Sequence, residues 1–320
     1  MFFKKLRSIN IINKIMTSAF YMGGDFSITA ARIMINGRLK HKSYGNCTDI
    51  ILGDKRIRIS KKHKSYLPHI MKYFDFYFEA VIPIEINGYK LVDYSTPRFH
   101  EVQGYDLHPV IFPSLAEPIK TAQQYIDFAQ LSEGATVLDL GAYSGLTSML
   151  FAIKAGKSGK VISVESDNIN IQLVKKNFSF FAKMTGINIE LLEGAVWENN
   201  NGLIFFNEGN IGSAPLSIAG NERKGNVSRV ESFTLNTIAK KYNLKKVDFI
   251  KCDIEGAEAV IFKDAAFFES YKPRIIIEPH VIKGVDSADI CTEQLIKYGY
   301  TVKKVKQYGA DEDLLECYPS

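Results

Sequence analysis

Two apolar runs in the chain end abruptly in ionisable residues. Val247-Asp248-Phe249-Ile250-Lys251-Cys252 leads into Asp253-Ile254-Glu255-Gly256-Ala257-Glu258, and Ile275-Ile276-Ile277 leads into Glu278-Pro279-His280. Short apolar runs bounded by turn residues read as buried strands, which puts Asp253, Glu255, Glu278 and His280 just past two carboxyl ends. Unpaired charges are expensive to bury, so packing does not explain four of them at one rim. Asp253 could serve only as a helix cap, but that leaves Glu278 and His280 unaccounted for. The residue types suit removal of a proton from a hydroxyl. His280, near the ordinary imidazole pKa of about 6.5, is the expected base, with Glu278 or Asp253 orienting it or raising its pKa. The alternative is a divalent metal on Asp253, Glu278 and His280 that acidifies the hydroxyl. Sequence does not show convergence, and no metal site is assigned.

Such side chains need a scaffold, and Thr136 to Ser148 supplies its opening unit. An apolar run ends in Asp139, Gly141 and Gly145 follow, and Leu146, Met149, Leu150 and Ile153 recur at helical spacing. This is strand, glycine turn and helix, the first unit of a nucleotide-type α/β fold. The glycines allow a tight turn and close approach of a ligand to the backbone. Lys160-Val161-Ile162-Ser163-Val164 forms a second strand ending in Glu165, where such folds hold a ribose by its hydroxyls. The dinucleotide pattern G-x-G-x-x-G is not met, because Tyr143 occupies its second glycine position. That disfavours a nicotinamide oxidoreductase, which is the second functional reading.

Asp139-Leu140-Gly141-Ala142-Tyr143-Ser144-Gly145, Val164-Glu165, Val247 to Glu258 and Ile275 to His280 together resemble the FkbM family of S-adenosylmethionine-dependent methyltransferases. The resemblance covers roughly 117 to 320, and its most specific part is the strand ending in acid-x-acid-Gly-x-acid. It implies a class I methyltransferase fold, Rossmann-like, α/β, with seven mostly parallel strands and helices on both faces. It also implies S-adenosylmethionine as cofactor, held by Asp139, Gly141, Tyr143, Ser144, Gly145 and Glu165, with Glu193 and Ala195 at the adenine. Trp197, the only tryptophan, would either cover that ring or belong to the core. If the strand order is the class I one, Gly141 and Asp253 face one crevice. The implied reaction is methylation of a hydroxyl on a sugar, glycan or secondary metabolite. A third reading is a non-catalytic protein, associated with membrane or glycan, on the same scaffold.

Composition adds bounds. A chain of 320 residues with 46% hydrophobic and 23% charged residues is an ordinary globular one. Its formal charge of +5 hides an asymmetry: residues 1–75 hold 15 basic against 4 acidic side chains, and the rest 25 against 31. The basic front suits an anionic membrane surface or a plain solvated face. The four cysteines, Cys47, Cys252, Cys291 and Cys317, show no C-x-x-C spacing, which fits a reduced protein without structural zinc. Ile9 to Met16 is interrupted by Asn10, Asn13 and Lys14, so it reads as neither signal peptide nor membrane span. The expected setting is cytoplasmic, with peripheral membrane contact as the alternative. No nucleic-acid partner is expected.

The chain divides at about residue 110 into an N-terminal extension, 1–110, and the methyltransferase domain, 111–320. In the extension, 27–36 suggests a helix, Asp49 to Ile59 two strands about Gly53-Asp54, and Asn87-Gly88 a type I′ hairpin, while the aromatic-rich Tyr66 to Phe78 could be a helix but its pattern does not settle it. Pro83 makes the first hairpin strand an edge. Arg98 to Pro118 reads as a linker; the family resemblance implies that His100, His108 and Glu117 could help close the active site, the alternative being a plain surface loop. Gly202 to Gly225 reads as a lid.

Overall fold

The computed structural model describes residues 38–117, 119–200, 202–208, 214–215, 226–282, 285–308, 310 and 313–320. The expected helix at 27–36, the basic segment before it and most of the expected lid lie outside the described residues. The chain forms two compact units, one with residues 38–107 and 114–119 and the other with 108–113 and 120–320.

The first unit carries strands β1 (Lys40–Tyr44), β2 (Cys47–Leu52), β3 (Lys55–Ser60), β4 (Ile84–Ile86), β5 (Tyr89–Tyr94) and β6 (Arg98–His100), with helices α1 (Leu67–Lys72) and α2 (Phe74–Phe78). Five strands form a sheet in the order β1-β2-β3-β5-β4. Asn87 (φ 47°) and Gly88 (φ 79°) both take the left-handed conformation that a type I′ hairpin requires. Strand β4 follows Pro83 and lies at the sheet edge. Tyr66 to Phe78, whose pattern left its structure open, holds the two short helices α1 and α2, parted at Tyr73, whose φ and ψ of −112° and 35° are not helical. Met71, Phe74 and Phe78 on the two sides of the break are buried.

The second unit contains β7 (Val110–Phe112), β8 (Thr136–Leu140), β9 (Lys160–Glu165), β10 (Glu190–Glu193), β11 (Ala195–Val196), β12 (Leu203–Glu208), β13 (Ala214–Pro215), β14 (Asn226–Phe233), β15 (Phe249–Cys252), β16 (Arg274–Ile277), β17 (Val281–Ile282), β18 (Val285–Asp286), β19 (Tyr300–Lys306) and β20 (Asp313–Pro319). Its helices are α3 (Ile119–Ala129), α4 (Leu146–Ala155), α5 (Asn168–Thr185), α6 (Leu235–Lys241), α7 (Glu258–Ile261), α8 (Ala265–Ser270) and α9 (Ser287–Lys297). Arg98 to Pro118 is therefore not all linker, since it contains β6 and β7.

The main sheet has seven strands in the order β10-β9-β8-β15-β16-β20-β19. Neighbours from β10 to β16 are parallel, and β20 runs antiparallel to β16 and to β19. Strands β8 and β15 are buried along their whole length, as expected where helices cover both faces. Leu138, Leu140, Ile162, Val164, Ile250 and Ile277 share one core with Leu235, Ile261, Phe267 and Leu295 from the helices. Each such side chain contributes about 1.5–3 kcal/mol by leaving water. Asp167 caps α5 by accepting from the N–H groups of Ile169 and Asn170, and Gly186 (φ 71°) ends that helix.

The chain winds outward from β8 through β9 to β10, then returns to place β15 on the other side of β8. Between β8 and β15 the winding reverses, and sheets of this kind bind ligands at the carboxyl ends of such a pair. A second, smaller sheet, β11-β14-β12-β13, was not anticipated as a separate layer. It forms because Asn226 to Phe233 pairs with Leu203 to Glu208 rather than with the main sheet.

Candidate active site

At the switch point the backbone of β15 comes unusually close to the glycine turn. The Asp253 N–H donates to the carbonyl of Leu140 at 3.0 Å. A Cβ on Gly141 would lie 1.8 Å from the Asp253 carbonyl oxygen, and Gly141 has φ 86°. The glycine is therefore required by neighbouring chain as well as by the tight turn expected of it. Gly145 (φ 80°) is similarly filled by Phe178 of α5, 2.5 Å from where its Cβ would be. Asn177 of α5 ties the turn down, donating from Nδ2 to the carbonyls of Ser144 (2.8 Å) and Ile111 (2.9 Å). Ser144 is fully buried, and its Oγ accepts from the Leu146 N–H.

Glu165 faces this turn from the end of β9. Its Oε2 accepts from the Tyr143 N–H at 2.7 Å, and its Oε1 accepts from the N–H groups of Ser166 (2.9 Å) and Asp167 (2.8 Å). A carboxylate has about four acceptor sites, so capacity remains on Oε2 for a hydroxyl. Burial pushes the Glu165 pKa up to about 7, against the opposing pull of the three N–H donors. Asp139 is deeper: its Oδ2 accepts from the hydroxyls of Thr147 (2.8 Å) and Ser148 (2.5 Å), and it has no exposed surface. Glu193 is paired with Lys175 of α5 at 2.7 Å. Ala195 is buried in β11, and Trp197 packs against Ala195 and Val230.

The four rim residues do converge. The oxygens of Asp253 and Glu278 and a ring nitrogen of His280 lie within 4.8 Å of one another. His280 Nε2 is 3.8 Å from Asp253 Oδ1 and 3.9 Å from Glu255 Oε2. Its other nitrogen, Nδ1, is 3.1 Å from Oε1 of Glu258, which also accepts from the Ile254 N–H at 2.9 Å. The spacing of these acids has a backbone cause. Glu255 (φ 53°) and Gly256 (φ 101°) both turn left-handed, folding the chain so that Glu258 reaches back under the turn. His280 is pinned from the other side: its N–H donates to Ser287 Oγ at 2.8 Å, and its carbonyl accepts from the Ser287 N–H at 3.1 Å.

Glu278 is held by two residues that the sequence reading did not single out. Tyr125 of α3 and Gln307 after β19 donate to its Oε2 at 2.7 and 2.8 Å. Burial and the nearby Asp253 charge push the Glu278 pKa up to about 7. Lys251 was also missed. Although 2% exposed, it projects from β15 to the Gly141 carbonyl (2.8 Å), with Asp253 Oδ2 at 3.4 Å and Asp139 Oδ1 at 3.6 Å. A lysine inside an otherwise apolar strand was the one signal that could have found it. Tyr125 and Gln307 come from distant chain and carry no local signal.

Two expectations about His280 change. Burial alone would lower its pKa, but Glu258, Glu255 and Asp253 outweigh that and hold it well above the ordinary imidazole value. The carboxylate that orients the ring through Nδ1 is Glu258, while Asp253 faces Nε2 and adds to the raised pKa. Of the histidines in the expected linker, His100 packs against Tyr94 within the first unit, and burial lowers its pKa to about 4. His108 lies against Phe180 and Phe181 of α5. Glu117 falls in the first unit. Cys252 is buried with its thiol pKa pushed well up, which suits a core residue.

Strand order, glycine turn and acidic second-strand end together define a class I methyltransferase fold. The methyltransferase FkbM domain model matches residues 139–302, and the chain belongs to that family of S-adenosylmethionine-dependent methyltransferases. No match is found among curated proteins. Among solved structures the chain is similar to a methyltransferase FkbM from Methylobacillus flagellatus KT, at 16% identity and a TM-score of 0.38, covering 62% of this chain and 50% of that one. It is also similar to precorrin-6y C5,15-methyltransferase from Geobacter metallireducens GS-15, at 13% identity and 0.39, covering 62% and 87%. Fibrillarin from Aeropyrum pernix, solved with natively bound S-adenosyl-L-methionine, gives 13% and 0.39 over 87% and 99%. Family membership sets aside the oxidoreductase and the non-catalytic readings. The donor set fits the cofactor: Glu165 suits a ribose diol, and the anionic rim suits a sulfonium cation. Among the described residues no helix is long and apolar enough to cross a membrane.

Proposed function

We propose that the protein transfers the methyl group of S-adenosylmethionine to a hydroxyl of a sugar, glycan or secondary metabolite. The observation that carries this reading is the convergence of Asp253, Glu255, Glu278 and His280 at the switch point, where an acceptor can meet the cofactor. Glu165 receives the ribose hydroxyls, with Asp139, Gly141, Tyr143, Ser144 and Gly145 shaping the turn beside it and Glu193 and Ala195 lying towards the adenine. The cofactor supplies an electrophilic methyl group on sulfur. The acceptor oxygen forms the new C–O bond as the C–S bond breaks, and the sulfur leaves neutral. The hydroxyl proton goes to the rim, where Glu255 is the partly exposed carboxylate beside His280. Orientation of the hydroxyl in line with the C–S bond supplies several kcal/mol, up to about 7–11 in ideal cases.

The test is methyl transfer from tritiated S-adenosylmethionine to a panel of glycosides, polyols, phenols, amines and thiols. Transfer to alcohol acceptors, lost in Glu255→Gln, supports the reading. Transfer confined to amines or thiols overturns it.

A further inference from the structure

We propose that Asp253, Glu278 and His280 form a binding site for one divalent cation of the magnesium or manganese type, which holds and acidifies the acceptor hydroxyl. The role of the cation rests on the methyltransfer reading above; the site itself rests on geometry. Three ligand atoms from three residues lie within 4.8 Å of one another. A cation with bonds of about 2.1 Å separates its ligand atoms by about 3–4.2 Å, so small side-chain rotations close the set. The His280–Asp253 pair, at 3.8 Å, is already in that range.

Each ligand has a partner on one atom and another atom left for a metal; for Asp253 the partner is Lys251 Nζ, 3.4 Å from Oδ2, with Oδ1 towards His280. Nδ1 of His280 is taken by Glu258, which directs Nε2 towards Asp253. A carboxylate behind a histidine is the usual support for a metal-bound imidazole. Tyr125 and Gln307 both occupy Oε2 of Glu278, and Oε1 is the remaining oxygen. Asp253 is 31% exposed and His280 22% at their side chains, so coordination positions open towards an acceptor or water.

A second observation concerns two buried acceptors beside the set. Buried acceptors without a hydrogen-bond partner include Glu258 Oε2 and Gln307 Oε1, in residues that touch His280 and Glu278 respectively. Glu258 has no exposed surface and Gln307 3%. Buried polar groups are normally satisfied, and waters bound to a cation on the adjoining ligands would offer these acceptors donors. The two carboxylates suit a hard cation of the magnesium or manganese type, and the imidazole nitrogen favours manganese of the two. With Asp253 and His280 engaged, Glu255 remains to take the hydroxyl proton.

The experiment is a manganese titration of the chelator-stripped full chain, followed by the electron paramagnetic resonance signal of free manganese. S-Adenosylmethionine binding is measured in parallel by calorimetry. One bound manganese per chain is expected, weakened tenfold or more in Asp253→Asn and Glu278→Gln and roughly 10–100-fold in Glu258→Gln. Glu293→Gln, which removes a surface pair with Lys297, serves as the control and should bind normally. Circular dichroism confirms that each variant is folded, and the near-isosteric Glu278→Gln decides the matter if another variant is not. Absence of stoichiometric manganese, or binding undiminished in folded Asp253→Asn and Glu278→Gln, overturns the site. A chain that binds S-adenosylmethionine and methylates alcohols after chelation overturns the role of the metal and leaves the proposed function standing. Failure to bind S-adenosylmethionine with or without manganese overturns the proposed function and, with it, the metal's role.

Discussion

His280 Nδ1 lies 3.1 Å from Oε1 of Glu258, a carboxylate with no exposed surface. The two residues come from different strand ends, yet the contact sets which ring nitrogen faces the rim. Glu258 also closes the turn by accepting from the Ile254 N–H. Removing one partner of a buried charged pair leaves the other without compensation. Glu258→Ala is therefore expected to destabilise the protein by about 3–5 kcal/mol, read as a lowered urea midpoint. A loss below about 1 kcal/mol, the range of an exposed pair, would show that this contact does not hold the turn.

Gly141 gives a prediction about the fold before the cofactor. Its Cβ position is 1.8 Å from the Asp253 carbonyl oxygen, and its φ of 86° is unfavourable for other residues. Gly141→Ala should cost about 2–4 kcal/mol from strain and overpacking. Cofactor affinity should fall with it, because β8 and β15 must part. A variant with wild-type thermal stability would contradict the close approach.

Glu165 links pH to both stability and binding. Its folded pKa is raised from 4.5 to about 7, so the native state retains a proton that the unfolded chain releases near 4.5. This contribution is fully present below about 4.5 and is lost as pH rises through about 7, a change of about 3 kcal/mol. Urea melts between about pH 4.5 and pH 8 should show this decline, and it should be smaller in Glu165→Gln. Affinity for S-adenosylmethionine should move the other way, rising with pH as the carboxylate forms. Equal pH slopes in wild type and Glu165→Gln would remove Glu165 from both roles.

Lys251 is expected to be a structural cation. It lies between Asp139 and Asp253 and is 2% exposed. Lys251→Met should destabilise by about 3–5 kcal/mol, because it leaves Asp139 buried without its counter-charge. Asp139→Asn in the same chain should recover part of that loss, a non-additivity measurable in a double-mutant cycle. Simple addition of the two effects would mean that the pair is not coupled.

Local patterns in the sequence determined most of the elements. The alternation of strand, glycine turn and helix from Thr136, the acidic end at Glu165 and the apolar runs before Asp253 and Glu278 were legible because parallel strands are buried on both faces and read as continuous apolar runs. The Asn87-Gly88 hairpin was legible because few residues accept positive φ twice in succession. The four rim residues were legible as a group, since they follow directly on the ends of two apolar runs, where charge has no packing role. Tertiary structure decided what those residues touch. Glu258 became the partner of His280 only when the turn through Glu255 and Gly256 brought it back under the strand ends. Tyr125 and Gln307, far away in the chain, reached Glu278 only through the packing of α3 and the end of β19. The raised pKa of His280 followed from that assembly too: a pKa depends on burial and on charges a few ångströms away, and no run of neighbouring residues encodes those distances.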